Sequence, residues 1–372
     1  MVSAKKKYYY DHAATSPITT ESLKQLYQYF QDYSYNSGTV YENGLISKKA
    51  LEQTRLKFKN LLGSKQHELI FTSGGTESNN LGIHSLSSSI KDPGICWYSK
   101  TAHPSLVKPA LNLVNKGWSL HSLPILSSGH LDLEACVNLP TPDIVVIEWV
   151  NSEVGFIQDI QGLQKLMQKK NTESMLMLDA VQGLGKIDLP NLNSISAISF
   201  SGHKLGAPVG IGALFIKNIQ KQKALQLGGD QEFGIRSGTV SVPLALSFLD
   251  ALSTQSQHKG FRELNFSNLN IKSIREVDKN YSPYIYLIDT SPVEGEVLLH
   301  NLENENILVG LGSACSASKK KMSLCHQSLG FTETQSRCTI RLSFMPDSNL
   351  DEAQRVLEKI NETVQNLIKY FK

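Results

Sequence analysis

Between positions 69 and 216 the chain repeats short apolar runs closed by small or polar residues. The runs at 69–72, 95–99, 118–123, 144–149, 175–178, 195–200 and 211–216 predict strands. Most are apolar nearly throughout rather than alternating, the pattern of strands covered on both faces. Stretches with helical spacing at 77–86, 104–116 and 158–169 fall between several of them. That order belongs to an α/β sheet with crossover helices. Upstream, Leu51, Leu56, Phe58, Leu61 and Leu62 lie at helical spacing, and 45–62 predicts a long helix closing at Gly63. The pattern changes after Val240: 244–252 is helical, 284–288 strand-like, 294–301 the start of a helix, and 351–368 an amphipathic terminal helix. We therefore expect a large domain over 15–250 and a smaller α+β domain built from 1–14 and 251–372. There is no internal repeat, and the serine-rich stretch 85–89 is expected to be a polar turn.

Composition narrows the function. The 37 basic and 34 acidic residues leave a formal charge of +3, too small an excess to argue for nucleic acid. The run Lys5, Lys6, Lys7 ahead of Tyr8, Tyr9 and Tyr10 reads as a solvated terminus entering an edge strand. The five cysteines, Cys96, Cys136, Cys315, Cys325 and Cys338, form neither a CxxC pair nor a zinc-site spacing, so no disulfide framework or metal site is expected. No signal-peptide pattern opens the chain and no apolar run reaches the ~20 residues of a membrane span. A cytoplasmic protein is the expectation.

Four segments at strand ends carry candidate chemistry, because open α/β sheets bind ligands beyond the carboxyl ends of their strands. Thr72 to Glu77 (TSGGTE) is either an ordinary capped turn or a phosphate cradle formed by backbone N–H groups and the Thr76 hydroxyl. Asp179, with Gln182 three positions on, is either a helix N-cap or a carboxylate facing a protonated pyridine nitrogen, with the Gln182 amide on a phenolic oxygen. Lys204 is the only Asp, Glu, Lys or Arg between Leu189 and Ile216. In so apolar a setting a lysine loses basicity and becomes a Schiff-base nucleophile; the alternative is a surface lysine on a turn between strands. His103 is either a loop histidine or a ring-stacking group that moves protons near neutral pH. Together the four point to pyridoxal phosphate, with Asp179 helping the ring act as an electron sink.

Far downstream, GLGSACSAS (310–318) sets Cys315 among small residues, beside Lys319, Lys320 and Lys321. Small residues make an accessible loop, and neighbouring cations favour a thiolate. The other four cysteines sit among apolar neighbours or in helix-like stretches and read as structural. Arg341, a lone guanidinium in the strand-like TIRLS (339–343), suits either a substrate carboxylate or an internal ion pair.

On these residues the chain resembles the NifS/IscS-type cysteine desulfurases of the class V aminotransferase group. The matching stretches are YYDHAATSP (9–17), FTSGGTESNN (71–80), LDAVQGLGK (178–186), SFSGHKLGAPVGIGALF (199–215), RSGT (236–239) and GSACSAS (312–318), spread over nearly the whole chain. The resemblance implies the type I fold of pyridoxal-phosphate transferases, with a mostly parallel seven-stranded sheet and a smaller α+β domain carrying the cysteine loop. It implies pyridoxal 5'-phosphate bound covalently by Lys204, stacked on by His103, faced at its nitrogen by Asp179 and at its phenolic oxygen by Gln182. Gly75, Thr76, Ser201 and His203 would hold the phosphate, with Thr239 reaching it across a homodimer interface. Arg341 would bind the carboxylate of L-cysteine, and Cys315 would take its sulfur as a persulfide for a protein acceptor, such as an iron–sulfur scaffold or a tRNA-thiolation enzyme. No membrane or direct nucleic-acid partner is implied.

Three stretches depart from the family pattern. Asn151, Ser152 and Glu153 replace Asn-Asn-Glu, leaving the second contact to the shorter Ser152 and water. The Gly-Asn-Pro pattern is poorly kept around 35–44, and 319–322 replaces a Glu-Pro after the cysteine loop. The alternatives on this scaffold are another lyase or aminotransferase, such as a selenocysteine lyase, and a catalytically degenerate binding homolog. Retention of both Lys204 and Cys315 argues for the desulfurase, since docking would require neither.

Overall fold

The computed structural model describes residues 7–256, 263–276, 279–312 and 322–370. Strand β1 (Tyr8–Tyr10) is followed by the strands of the large sheet: β2 (His67–Thr72), β3 (Ile95–Tyr98), β4 (Ser119–Ser122), β5 (Ile144–Glu148), β6 (Met175–Asp179), β7 (Ala197–Ser201) and β8 (Gly212–Lys217). Their order is β2-β8-β7-β6-β5-β3-β4, with β8 antiparallel to both neighbours and every other pair parallel. The expected seven-stranded, mostly parallel α/β sheet is therefore present. Alternate residues of one strand serve two cores. Ile70, Ile144, Val146 and Met177 pack with Leu81, Leu86, Leu106 and Val107 on one face. Leu69, Phe71, Val145, Ile147 and Leu178 pack with Phe58, Leu163 and Phe248 on the other. Burial on both faces is why these strands read as continuous apolar runs.

Strand order reverses at β3, which lies between β4 and β5, and a crevice opens there beyond the strand ends. The helices Gly75–Ser89 and Pro104–Leu111 start at this end, after β2 and β3. The first of them corrects an expectation: 85–89 is the last turn of the helix, not a polar turn. Ser85 and Ser87 are buried; the Ser87 and Ser89 hydroxyls donate to the carbonyls of His84 and Leu86, three residues back in each case, and the Ser85 hydroxyl donates to the Lys223 carbonyl outside the helix. The helix Thr20–Asp32 has no counterpart in the sequence reading, although Leu23, Leu26, Tyr27 and Phe30 recur at helical spacing; none of its residues is buried.

The second sheet, β1-β11-β12-β10-β9, is formed with β9 (Lys272–Ser273), β10 (Ile285–Asp289), β11 (Ile307–Leu311) and β12 (Thr339–Ser343). As expected, Tyr8–Tyr10 is an edge strand, parallel to β11. The terminal helix Leu350–Ile368 lays Ala353, Val356, Leu357, Ile360 and Val364 on this sheet's core, capped by the Asn349 side chain on the Glu352 N–H. The helix Val242–Gln255 runs unbroken past position 250 and packs Ala245, Phe248 and Leu252 into the core of the large sheet. No described helix is long and apolar enough to cross a membrane.

Candidate active site

Ten of the expected site residues, Gly75, Thr76, His103, Ser152, Asp179, Gln182, Ser201, His203, Lys204 and Arg341, line one cavity of about 380 Å³. Larger depressions elsewhere contain none of them.

The large sheet supplies one wall. β6 ends on Asp179, whose carboxylate accepts from the Val181 N–H (2.9 Å) and from Asn79 Nδ2 (2.8 Å). Burial raises its pKa, opposed by those two bonds and by the charges of His103 and Lys204. β7 ends on Ser201, whose buried Oγ has no hydrogen-bond partner among the described residues. Opposite it the helix Gly75–Ser89 begins. A Cβ at Gly75 would stand 2.9 Å from Val181 Cγ2 and 3.4 Å from the Ser201 Cβ, so only glycine lets the backbone approach this closely. Within that helix start, Glu77 accepts from the Ser73 N–H (2.6 Å) and pairs with Arg236 (2.7 Å).

Lys204 closes the turn Gly202–Lys204 between antiparallel β7 and β8. The turn between strands foreseen as the bland alternative is real, yet the amine points inward: Nζ donates to the carbonyls of Ala13 (2.7 Å) and Ala14 (2.6 Å). Gln182 Nε2 donates to the same Ala13 carbonyl (2.9 Å), so the segment after β1 is part of the wall. His203 faces Thr15 Oγ1 at 3.0 Å, and burial with the charges of Lys204 and Lys186 lowers its pKa to about 4. His103 caps the helix Pro104–Leu111: Nδ1 accepts from the Ser105 N–H at 3.1 Å, which leaves the proton of the neutral ring on Nε2. Burial lowers its pKa against the pull of Asp179, with Lys204 adding to the decrease.

The smaller sheet supplies the facing wall. Arg341 on β12 binds Asp11 Oδ1 through Nη2 (2.7 Å) and the Ser152 carbonyl through Nη1 (2.9 Å). Its buried Nε has no partner among the described residues. Gly310 lies across from it on β11, where a Cβ would meet Asp11 Oδ1 at 2.5 Å. Ser152 belongs to a turn held by Asn151 Oδ1, which accepts from the Glu153 and Val154 N–H groups at 3.0 and 2.8 Å.

Sequence reasoning missed three contributors. Asn79 ties Asp179 to Ser105 and Ser199 from inside FTSGGTESNN, with no signal beyond membership of that motif. Ala13 and Ala14 act through backbone carbonyls, which no side-chain pattern discloses. Glu148 lines the cavity, and its signal was available: it is the one charged residue in the apolar run 144–149. One expected site residue that the structure describes is not in the cavity of this chain. Thr239 is not among its lining residues, and Cys315 lies outside the described residues, as do Lys319, Lys320 and Lys321. Cys96, Cys136, Cys325 and Cys338 are buried free thiols, as their apolar neighbours suggested.

Residues 8–356 match the model of the aminotransferase class-V family, to which the chain belongs, and that family works with pyridoxal phosphate. Cysteine desulfurase IscS of Buchnera aphidicola subsp. Acyrthosiphon pisum (strain 5A) is 30% identical over 380 residues, covering 96% of this chain and 93% of that protein. Human cysteine desulfurase is 30% identical over 379 residues, covering 96% and 82%. Within the class-V group the chain is thus of the NifS/IscS cysteine desulfurase type. Among solved structures, a NifS-like protein superimposes with a TM-score of 0.84 at 24% identity, covering 97% of this chain and all of the other. The cysteine desulfurase of Thermococcus onnurineus NA1 superimposes at 0.83 and 19% identity, covering 97% and 95%. At these identities the two establish the fold.

The cavity fits the cofactor by its own chemistry. A buried hydroxyl without a partner at Ser201 and a helix start stripped to glycine at Gly75 suit a phosphate. A buried carboxylate suits a ring nitrogen, and a lysine held within the cavity suits an aldehyde.

Proposed function

We propose that the chain converts L-cysteine to L-alanine and keeps the sulfur as a persulfide on Cys315. The observation that carries this reading is the convergence of Lys204 and Arg341, from different sheets, on one cavity. Lys204 holds the cofactor and, with His103, moves the proton at the substrate α-carbon. Asp179 faces the ring nitrogen, Gln182 the phenolic oxygen, and Gly75, Thr76, Ser201 and His203 the phosphate. Arg341 receives the substrate carboxylate, with Ser152 contributing through water. The bound cofactor supplies an electron sink for the pair released at the α-carbon. The Cys315 thiolate attacks the substrate sulfur; an S–S bond forms, the substrate C–S bond breaks with its electron pair passing to carbon, and protonation of that carbon gives alanine.

Supporting this, the described residues on either side of the cysteine loop are tied to the small-sheet wall and its neighbouring turn. Gly312 donates its N–H to the Thr339 carbonyl (3.2 Å) at the end of β12, and Ser323 Oγ donates to Glu153 (2.6 Å) in the turn carrying Ser152.

The same reading takes the protein as a cytoplasmic homodimer in which Thr239 of one copy completes the phosphate site of the other. Supporting this, Thr239 is exposed and so accessible to a second copy. The domains divide near 14/15 and, instead of the expected 250/251, after the helix Val242–Gln255, whose Leu252 packs on the large sheet; the acceptor is a protein such as an iron–sulfur scaffold or a tRNA-thiolation enzyme.

The test is one turnover of the cofactor-loaded protein with L-cysteine, reading alanine together with the mass of the Cys315 peptide. Alanine with one added sulfur on that peptide is expected, and Cys315→Ala should keep the cofactor while losing the persulfide. Pyruvate or free sulfide with an unmodified peptide would replace this reading by elimination chemistry.

A further inference from the structure

Glu148 ends β5 in register with Asp179 at the end of β6, and its side chain lines the same cavity while only 3% exposed. Its Oε1 accepts two hydrogen bonds, from Thr101 Oγ1 (3.1 Å) and Asn151 Nδ2 (2.9 Å). Oε2 has no hydrogen-bond partner among the described residues. The ionisable groups set against Glu148 are all acids: Asp179 on β6, Glu153 in the turn after β5, and Cys325 on the helix Leu324–Ser328. The nearby cations are engaged elsewhere. Arg341 is paired with Asp11, Lys204 donates to two carbonyls, and the charges of Lys204 and His103 act on Asp179. Two buried carboxyl groups side by side do not both ionise. Burial above all, helped by Asp179 and Glu153 and opposed by the Asn151 and Thr101 bonds, pushes the Glu148 pKa up to about 8.

The bond to Asn151 leads to the facing wall. The same Asn151 side chain that donates to Glu148 accepts from the Glu153 and Val154 N–H groups, fixing the turn whose Ser152 carbonyl receives Arg341 Nη1. We propose that Glu148 is a positioning residue that works as a neutral acid: it anchors the turn that aims Arg341 while leaving Asp179 as the single negative charge at the ends of β5 and β6. The carbonyl oxygen of the neutral acid still accepts from Asn151 and Thr101, and the retained proton spares an anionic ligand a second carboxylate in the cavity. The cost appears at alkaline pH, where the proton leaves and the new charge repels the carboxylate that Arg341 receives.

The inference rests on the proposed reading of the cavity as a site for pyridoxal phosphate and an amino-acid carboxylate, and its test separates the two. The cofactor-loaded wild type, Glu148→Gln and Glu148→Met are titrated with L-alanine at pH 7 and pH 9, following the visible absorption of the bound cofactor. KM and kcat for L-cysteine are measured alongside. Binding that requires the neutral acid weakens about tenfold at one pH unit above the ionisation. The ratio of dissociation constants, pH 9 over pH 7, should therefore be about tenfold smaller in Glu148→Gln than in wild type. Glu148→Met, which leaves Asn151 and Thr101 without their acceptor, should weaken L-alanine binding at both pH values and raise KM more than it lowers kcat. The same pH ratio in wild type and Glu148→Gln would overturn this role alone, whatever the stability of the methionine variant. A wild type that holds the cofactor and gives no response to L-alanine at either pH would overturn the reading of the cavity and this role together.

Discussion

The two walls of the cavity are prepared in different ways. On the large-sheet wall the polar groups are held by neutral donors and acceptors: Asp179 by a backbone N–H and an asparagine amide, Lys204 by two carbonyls. One hydroxyl, Ser201 Oγ, is left open. On the small-sheet wall the key cation is already neutralised, with Arg341 at 2.7 Å from Asp11 and 3% exposed. A buried polar atom without a partner costs free energy that a ligand recovers on binding, so the first wall is poised to gain a phosphate. A buried arginine without a counter-charge would cost several kcal/mol, roughly 3–5, and the internal pair removes that cost before any ligand arrives. An incoming carboxylate must share or displace Asp11. The large-sheet wall is thus built for a group that stays, and the small-sheet wall for one that comes and goes.

Substitutions at three positions test this contrast, in decreasing order of effect. Removing the amine at the centre of the large-sheet wall, Lys204→Ala, should lower alanine formation from L-cysteine by about a thousandfold in single-turnover experiments, as loss of a nucleophile and proton carrier does. Dialysis should also strip the cofactor from this variant. A rate within tenfold of wild type would take the chemistry away from this wall. On the opposite wall, Arg341→Ala should raise KM for L-cysteine by about 10- to 100-fold, the worth of a charge-assisted pair, with a smaller change in kcat. Arg341→Lys should recover only part of the loss, because an ammonium cannot serve Asp11, the Ser152 carbonyl and a carboxylate from one planar fork. The smallest change is Ser201→Ala, expected to weaken pyridoxal phosphate about tenfold in equilibrium dialysis. Because that hydroxyl has no partner among the described residues, the cofactor-free variant should melt no earlier than wild type; a clear loss of its stability would mean that Ser201 serves the fold instead.

Legibility in the sequence followed the distance over which each feature is decided. The strands were readable because burial on both faces writes itself into consecutive residues such as IVVI (144–147) and MLML (175–178). Lys204 and Asp179 stood out against those runs as isolated charges, and Glu148, isolated in the same way, was passed over because no ligand group was assigned to it. The helix Thr20–Asp32 carries a legible signal, with Leu23, Leu26, Tyr27 and Phe30 at helical spacing, and lies outside the sequence reading even so. The serines at 85–89 misled because hydroxyls that favour turns in an exposed chain find carbonyls here once the helix is packed, those of Ser87 and Ser89 within it and that of Ser85 on Lys223.

By itself, the sequence determined a two-faced α/β sheet and the residues at its strand ends, since both are consequences of local apolar patterning. Only the tertiary structure decided what those residues meet. Arg341 reaches Ser152 across 189 positions of chain and Asp11 across 330. Lys204 reaches the carbonyls of Ala13 and Ala14 across 191 and 190. Protonation is decided at the same level. Glu148 and Asp179 are both carboxylic acids at the ends of apolar strands, and the difference in their partners appears only when β5 and β6 lie in register. Solvent exclusion and the sign of neighbouring charges set an ionisation, and both belong to the packed molecule rather than to any stretch of its sequence.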